Sequence, residues 1–154
     1  MWHKKSTYII GLLTVLLIGI SLFVYIIMVP YTNYHNELDT IESTIIEQEG
    51  LKNVQSFEKY NGSEVYYIIQ TKAKVYVYNQ DLERVYRRNI TRLAFDEVEG
   101  LFNKEDYESI KEELGYENEK LCYVYTLYTS STVEYRYYNL ESGQLMKMYS
   151  LKRN

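Results

Sequence analysis

The stretch YIIGLLTVLLIGISLFVYIIMV, residues 8–29, decides how the rest of the chain is read. It holds no charged residue, and fifteen of its positions are Leu, Ile, Val or Phe. A helix of this length rises about 33 Å, enough for a hydrocarbon core of about 30 Å. Each of those side chains favours insertion by roughly 0.3–0.6 kcal/mol at the centre of a span. The stretch therefore reads as a transmembrane helix. A cleaved signal would have a shorter apolar core and small residues at its end. Here the run closes on Ile26-Ile27-Met28-Val29-Pro30-Tyr31, so a retained anchor is expected. Lys4 and Lys5 precede it with no acid nearby. By the positive-inside rule, residues 1–7 are then cytosolic and everything after residue 29 lies outside the membrane.

All twenty-one acidic residues follow the span, with fifteen of the seventeen Lys and Arg, a net charge of −6 for that portion. An acidic ectodomain argues against nucleic acid as a partner, because phosphate binding needs a positive surface. It also gives no reason for that portion to lie flat on anionic lipid. Cys122 is the single cysteine, so no internal disulfide can form. An exported domain without one suits a Gram-positive bacterium better than a eukaryotic secretory route. In that setting the sequons at Asn61 and Asn89 are chance matches. Nineteen tyrosines point to sheets with one buried and one wet face, since Tyr is a strong strand former with a polar tip.

Residues 34–49 predict a helix close behind the anchor. Tyr34, Leu38, Ile41 and Ile45 form one apolar stripe, and Gly50 is placed to stop it. Strands are expected over 53–60, 64–71, 73–78 and 82–88, with a hairpin at Asn61-Gly62 and a turn at 79–81. The order then begins again. Residues 91–102 carry Ala94, Val98 and Leu101 at helical spacing, with Thr91 as the expected N-cap. Residues 105–114 fit a helical period through Tyr107, Ile110 and Leu114, and fit alternation less cleanly. Strands follow over 120–128, 132–140 and 144–151. The expected fold class is α+β: an N-terminal transmembrane helix, then two tandem units, each a helix packed on an antiparallel sheet. The boundary between them is expected near 88–91, giving units over 30–89 and 90–154, packed on each other because units this small rarely stand alone.

A short cytosolic start, one span and tandem helix-plus-sheet units resemble the TseB/YpmB-like proteins of Gram-positive bacteria. The local matches are SEVYYIIQ at 63–70, LGY at 114–116 with CYVYT at 122–126, and YRYYNLESG at 135–143 with LMK at 145–147. These are scaffold patterns and not active-site signatures. The resemblance implies two cystatin-like, PepSY-type domains, and it implies that residues 107–116 form the first strand of the second sheet, paired with 120–128 across a turn at 117–119. It further implies an extracytoplasmic accessory protein linked to cell-wall elongation, with a class B penicillin-binding transpeptidase in the same membrane as its partner.

No constellation for covalent catalysis is visible. The two histidines are His3, expected in the cytosol, and His35, beside the membrane. Cys122 sits mid-strand among apolar and aromatic residues, the ordinary setting of a buried inert thiol. No clustered Cys and His would hold zinc, and no Gly-rich loop would hold phosphate; neither metal nor cofactor is expected. Glycoside cleavage needs only two carboxylates, and acids are plentiful, so that alternative stays open.

The candidate contact surfaces are three. Arg84, Arg87, Arg88 and Arg92 form a basic group at the expected junction, suited to bidentate pairing with carboxylates of the acidic run at 96–113 or of a partner. Asp106 and Glu108 stand for that acidic run, either a solvated face or a dock for a basic surface. Tyr123, Tyr125, Tyr135 and Tyr137 project at period two from sheet faces, as core, as a contact between units, or as a binding platform. The expected activity is that of a non-enzymatic, membrane-tethered regulator or adaptor. The alternatives are a PepSY-like inhibitor of an extracytoplasmic protease and a peptidoglycan-binding module.

Overall fold

A computed structural model describes residues 2–101 and 103–153. The chain divides into two compact units, Met1–Gln48 and Glu49–Asn154.

The described residues of the first unit are all helical. Helix α1 covers Trp2–Phe23, a π-helical turn covers Val24–Met28, and α2 covers Val29–Glu49. Residues 30–33, which the sequence pattern places outside both helices, are helical. Pro30 explains the local geometry, because it lacks an N–H and its ring crowds the carbonyl four residues back. The chain meets this by widening the preceding turn: the Val29 N–H donates to the Val24 carbonyl, five residues back. Every residue from 11 to 29 is exposed, and among the described residues one helix is long and apolar enough to cross a membrane. Of the stripe expected on α2, Ile45 is buried, Leu38 and Ile41 are half-buried, and Tyr34 is exposed. Gly50 follows α2 at φ +61°, the left-handed geometry that favours glycine.

The second unit holds two four-stranded antiparallel meanders. The first runs β1 (Val54–Asn61), β2 (Val65–Thr71), β3 (Lys74–Tyr78) and β4 (Arg84–Asn89), in that spatial order. The second runs β5 (Ser109–Glu117), β6 (Lys120–Tyr128), β7 (Thr132–Asn139) and β8 (Leu145–Lys152). Of the ambiguous segment, Lys104–Asp106 form a 3-10 turn and the strand implied by the family resemblance for residues 107–116 runs over Ser109–Glu117. That strand pairs with β6 through nine consecutive positions. The turn between them has Asn118 and Glu119 at φ +49° and +61°, the twist a two-residue hairpin needs.

One core lies between the sheets. Ile68, Val75 and Val77 of the first sheet pack with Leu114, Leu121, Cys122 and Val124 of the second and with Leu140 just after β7, all nearly solvent-free. A second cluster joins Val98, Tyr125, Leu127 and Tyr138.

The helix expected over 91–102 is shorter than its periodicity implied. Ile90–Arg92 form a 3-10 turn that includes Thr91, and α3 spans only Phe95–Glu99, with Ala94 at the N-cap position. The reason is tertiary. The Ala94 N–H donates to the Leu140 carbonyl at 2.7 Å, which holds residue 94 outside the helix. Val98 is the residue of α3 that enters the core, while Leu101 is exposed. Phe102, the last residue of the expected helix, lies outside the described residues.

Candidate functional site

The two sheets are joined through one buried carboxylate. Glu117, at the end of β5, is 6% exposed. Its Oε1 accepts the Tyr60 hydroxyl at 2.7 Å and the Ser63 N–H at 3.3 Å, while its Oε2 lies 3.1 Å from the Lys147 ammonium. Tyr60 and Ser63 belong to the β1–β2 hairpin, and Lys147 to β8. Burial pushes the Glu117 carboxyl up, but the Tyr60 hydroxyl, the Lys147 ammonium and the Ser63 N–H outweigh it and hold it below the usual carboxylate range. Lys147 shifts the other way. Burial lowers it, Glu117 outweighs that, and the ammonium is held above its ordinary value.

Two glycines make the approach possible. A Cβ on Gly62 would sit 2.3 Å from Glu117 Oε1 and 2.4 Å from the Tyr60 ring. A Cβ on Gly115 would sit 2.9 Å from the same ring on its other edge. Gly62 closes the expected hairpin, but its value here is the missing side chain. Its φ is not left-handed, and the connection is the three residues 62–64.

The arginines do not converge. Arg84 pairs with Glu49, and Arg88 Nε donates to Glu141 Oε1 at 2.8 Å beside the Tyr86 hydroxyl, which donates to the same oxygen. Neither acid belongs to the run at 96–113. Hydrogen bonds from Arg88 and Tyr86 hold the Glu141 carboxyl below its ordinary range. Register places Arg88 opposite Val75 and Arg87 opposite Tyr76, so successive arginines take opposite faces of β4. Arg87 and Arg92 are exposed. Asp106 accepts from the Asn103 amide at 3.5 Å, and Glu108 pairs with Arg153 at 2.8 Å, all at the surface.

The tyrosines divide by face. Tyr125 is buried in the cluster with Val98 of α3, and Tyr123 lies between Phe95 at 5.6 Å and Tyr125 at 4.9 Å. Tyr135 and Tyr137 stand opposite Thr126 and Val124, hence on the other face. There the Lys147 ammonium lies 4.1 Å from the Tyr137 ring centroid, and Tyr149 meets Tyr137 edge-on.

A cleft of about 440 Å³ opens beside β1 and β5, lined by residues 58–61 and 111–114. Its carboxylates already have partners. Glu58 accepts the Leu114 N–H at 2.9 Å, Glu112 accepts the Tyr123 hydroxyl at 3.2 Å, and Glu113 pairs with Lys111 at 2.7 Å. Burial raises the Glu58 carboxyl above its usual range, against the lowering effect of the Leu114 N–H. Cys122 is buried, its thiol pushed up to about 12 by desolvation, which makes it a poor nucleophile. His35 stacks edge-on with Tyr31 and Tyr34. Among the described residues no group of His, Cys, Asp and Glu is arranged to hold a metal ion.

Glu117, Lys147 and Tyr60 were not singled out from sequence. The signals available were indirect: two glycines in strand-rich stretches, and an acid following the apolar and aromatic residues Leu114 and Tyr116.

An N-terminal apolar helix followed by two four-stranded antiparallel sheets defines an α+β protein whose conspicuous features are structural contacts. No protein-family model matches the sequence, and no curated protein matches it. Among solved structures, the chain is similar to the YpmB protein from Bacillus subtilis, with a TM-score of 0.56 and 17% identity over 71% of this chain and 96% of that one. At that identity the likeness establishes a YpmB-like fold.

Proposed function

We propose that this chain is a non-enzymatic, membrane-anchored adaptor or regulator that works by touching another envelope protein. The observation that carries this reading is the fully exposed apolar helix at residues 11–29, whose surface suits lipid. In the proposed arrangement residues 1–7 are cytosolic, 8–29 span the membrane, and cystatin-like domains over 30–89 and 90–154 lie outside. Two anchored proteins share one membrane, which raises their effective concentration and lets a modest interface suffice.

The family resemblance supplies the partner class, a class B penicillin-binding transpeptidase acting in cell-wall elongation. Arg87 and Arg92 on one side, and Asp106 and Glu108 on the other, are the charged surface residues offered for that contact. The test is co-purification from detergent-solubilised membranes. Recovery of a transpeptidase that falls on charge reversal at Arg87 or Asp106 supports the reading; equal recovery from both variants removes those surfaces from it. The half-exposed Tyr135 favours one second reading, a peptidoglycan-binding face. It predicts sedimentation of the protein with purified wall, lost on Tyr135→Ala.

A further inference from the structure

The packing around Glu117 fixes the residue that follows Asn61. A Cβ at position 62 would meet Glu117 Oε1 at 2.3 Å and the Tyr60 ring at 2.4 Å, so a glycine is held there. The chain therefore carries an Asn–Gly pair at 61–62, and no other Asn in it is followed by Gly. The side-chain carbonyl carbon of an Asn lies one ring closure from the next backbone nitrogen. A glycine at that next position has no side chain to crowd the approach. Residues 61–64 are all exposed, so water reaches this peptide. Three other asparagines near turns are held in place. Asn79 Oδ1 accepts the Asp81 and Glu83 N–H groups, Asn103 Oδ1 the Glu105 N–H, and Asn139 Oδ1 the Glu141 N–H. Asn89 and Asn118 precede Ile90 and Glu119, whose side chains crowd the attack. Among the described residues the Asn61 side chain makes no such bond. The Gly62 N–H donates only within the exposed loop, to the Glu64 carbonyl at 3.1 Å, a contact that can open without breaking the β1–β2 ladder.

We propose that Asn61 is a site of spontaneous deamidation, and that its conversion to isoaspartate loosens the bond between the Tyr60 hydroxyl and Glu117. The Gly62 nitrogen gives its proton to solvent and attacks the Asn61 side-chain carbonyl carbon. The new C–N bond forms as the side-chain amide C–N bond breaks, and the departing nitrogen takes up a proton and leaves as ammonia. The product is a five-membered succinimide. Water then opens the ring at one of its two carbonyls. One opening gives Asp on an unchanged backbone. The other routes the main chain through the former side chain, which adds one main-chain carbon and leaves a free carboxylate. Nothing is oxidised or reduced, and water is the only co-reactant. The altered peptide lies between the two donors to Glu117 Oε1, the Tyr60 hydroxyl at 2.7 Å and the Ser63 N–H at 3.3 Å. An extra carbon between them displaces one donor relative to the other, so a single oxygen cannot keep both. The new charge also enters a cleft already lined by Glu58, Glu112 and Glu113, where like charges oppose it. This site is independent of the envelope partner proposed above.

The test ages the full chain in detergent, in warm and mildly alkaline buffer, once folded and once in urea, and maps its peptides by mass. In the folded chain the peptide holding Asn61 should gain one dalton and split into two products, while those holding Asn89 and Asn118 stay unchanged over the same interval. Hydroxylamine, which traps a succinimide, should cut the folded chain between residues 61 and 62. The aged parent should melt at a lower temperature than the fresh protein, and Asn61→Gln should age without that shift. Asn61→Asp adds the charge but no main-chain carbon, so its melting temperature should fall less than that of the isoaspartyl form. In Tyr60→Phe, which has already lost the hydroxyl donor, ageing should lower the melting temperature less than in the parent. Conversion of Asn61 in urea but not in the folded chain would overturn the proposal. So would conversion that leaves the melting temperature unchanged, or an equal fall in the Tyr60→Phe background.

Discussion

The Tyr60 hydroxyl donates to Glu117 Oε1 at 2.7 Å across 57 residues of sequence, and the bond is buried. It ties the β1–β2 hairpin to the end of β5, and Lys147 closes the arrangement from β8. A buried carboxylate stripped of one partner keeps its desolvation cost and loses its compensation.

Tyr60→Phe should therefore lower stability by about 1.5–3 kcal/mol, the usual range for a hydrogen bond to a charged group. Lys147→Met should act in the same direction. The double variant should lose less than the sum of the two, because both changes address one carboxylate. Urea unfolding of the full chain in detergent, followed by near-ultraviolet dichroism, reads all three. Additive losses would show that the two groups act separately.

The pH dependence follows from the directions of the shifts. The Glu117 carboxyl lies below its unfolded value of 4.5, so its contribution is complete above that value and lost as pH falls through the folded one. Lys147 lies above its unfolded value of 10.5, so its contribution is complete below that value and lost as pH rises through the folded one. Glu58 has the opposite sign to Glu117: with its carboxyl raised, stability falls as pH rises from 4.5 through the folded value. Glu117→Gln should flatten the acid limb below pH 4.5, and Glu58→Gln should remove the decline above it.

Gly62→Ala and Gly115→Ala should each destabilise by roughly 1–3 kcal/mol, the usual cost of forcing an extra carbon into a packed site. The obstructing atoms are the Tyr60 ring and Glu117 Oε1 at Gly62, and the Tyr60 ring, Val124 Cγ2 and Cys122 Sγ at Gly115. In the Tyr60→Ala background the penalty should shrink at Gly62, where two of the three nearest atoms belong to that ring, and less at Gly115, where Val124 and Cys122 still obstruct. Thermal melting of the four proteins decides this, and an unchanged penalty would place the clash elsewhere.

Tyr78 offers the converse case. Its ring is 1% exposed, and its hydroxyl is buried without a hydrogen-bond partner. Removing a buried polar group that makes no bond relieves a desolvation cost of about 1–3 kcal/mol, so Tyr78→Phe should be neutral or stabilising. A clear loss of stability on denaturant titration would contradict this.

Much of the architecture was legible because it is written in short-range patterns. The apolar run at 8–29, the stripe ending at Ile45, the stop at Gly50 and the alternation of KLCYVYTLY each need only neighbouring residues. Residues 109–117 were harder. Glu108, Glu112 and Glu113 give this stretch a helix-friendly surface, and its identity as a strand depends on β6, which lies beyond the Asn118-Glu119 turn. The helix expected over 91–102 is cut short for the same reason, since the Leu140 carbonyl that holds Ala94 is 46 residues away. The arginines show the limit for surfaces. Their sequence proximity implied one patch, but strand alternation sends Arg87 and Arg88 to opposite faces, and their partners Glu49 and Glu141 lie outside the acidic run.

The most direct test of a tethered contact protein is photo-cross-linking in living cells, with the probe placed at Arg87 or Asp106 of the full-length chain. Membrane fractionation and identification of the adduct follow. The account predicts that the full chain sediments with membranes and that the adduct contains an envelope protein, a penicillin-binding transpeptidase foremost. A chain recovered free of the membrane, or a probe that captures only cytosolic proteins, would contradict it.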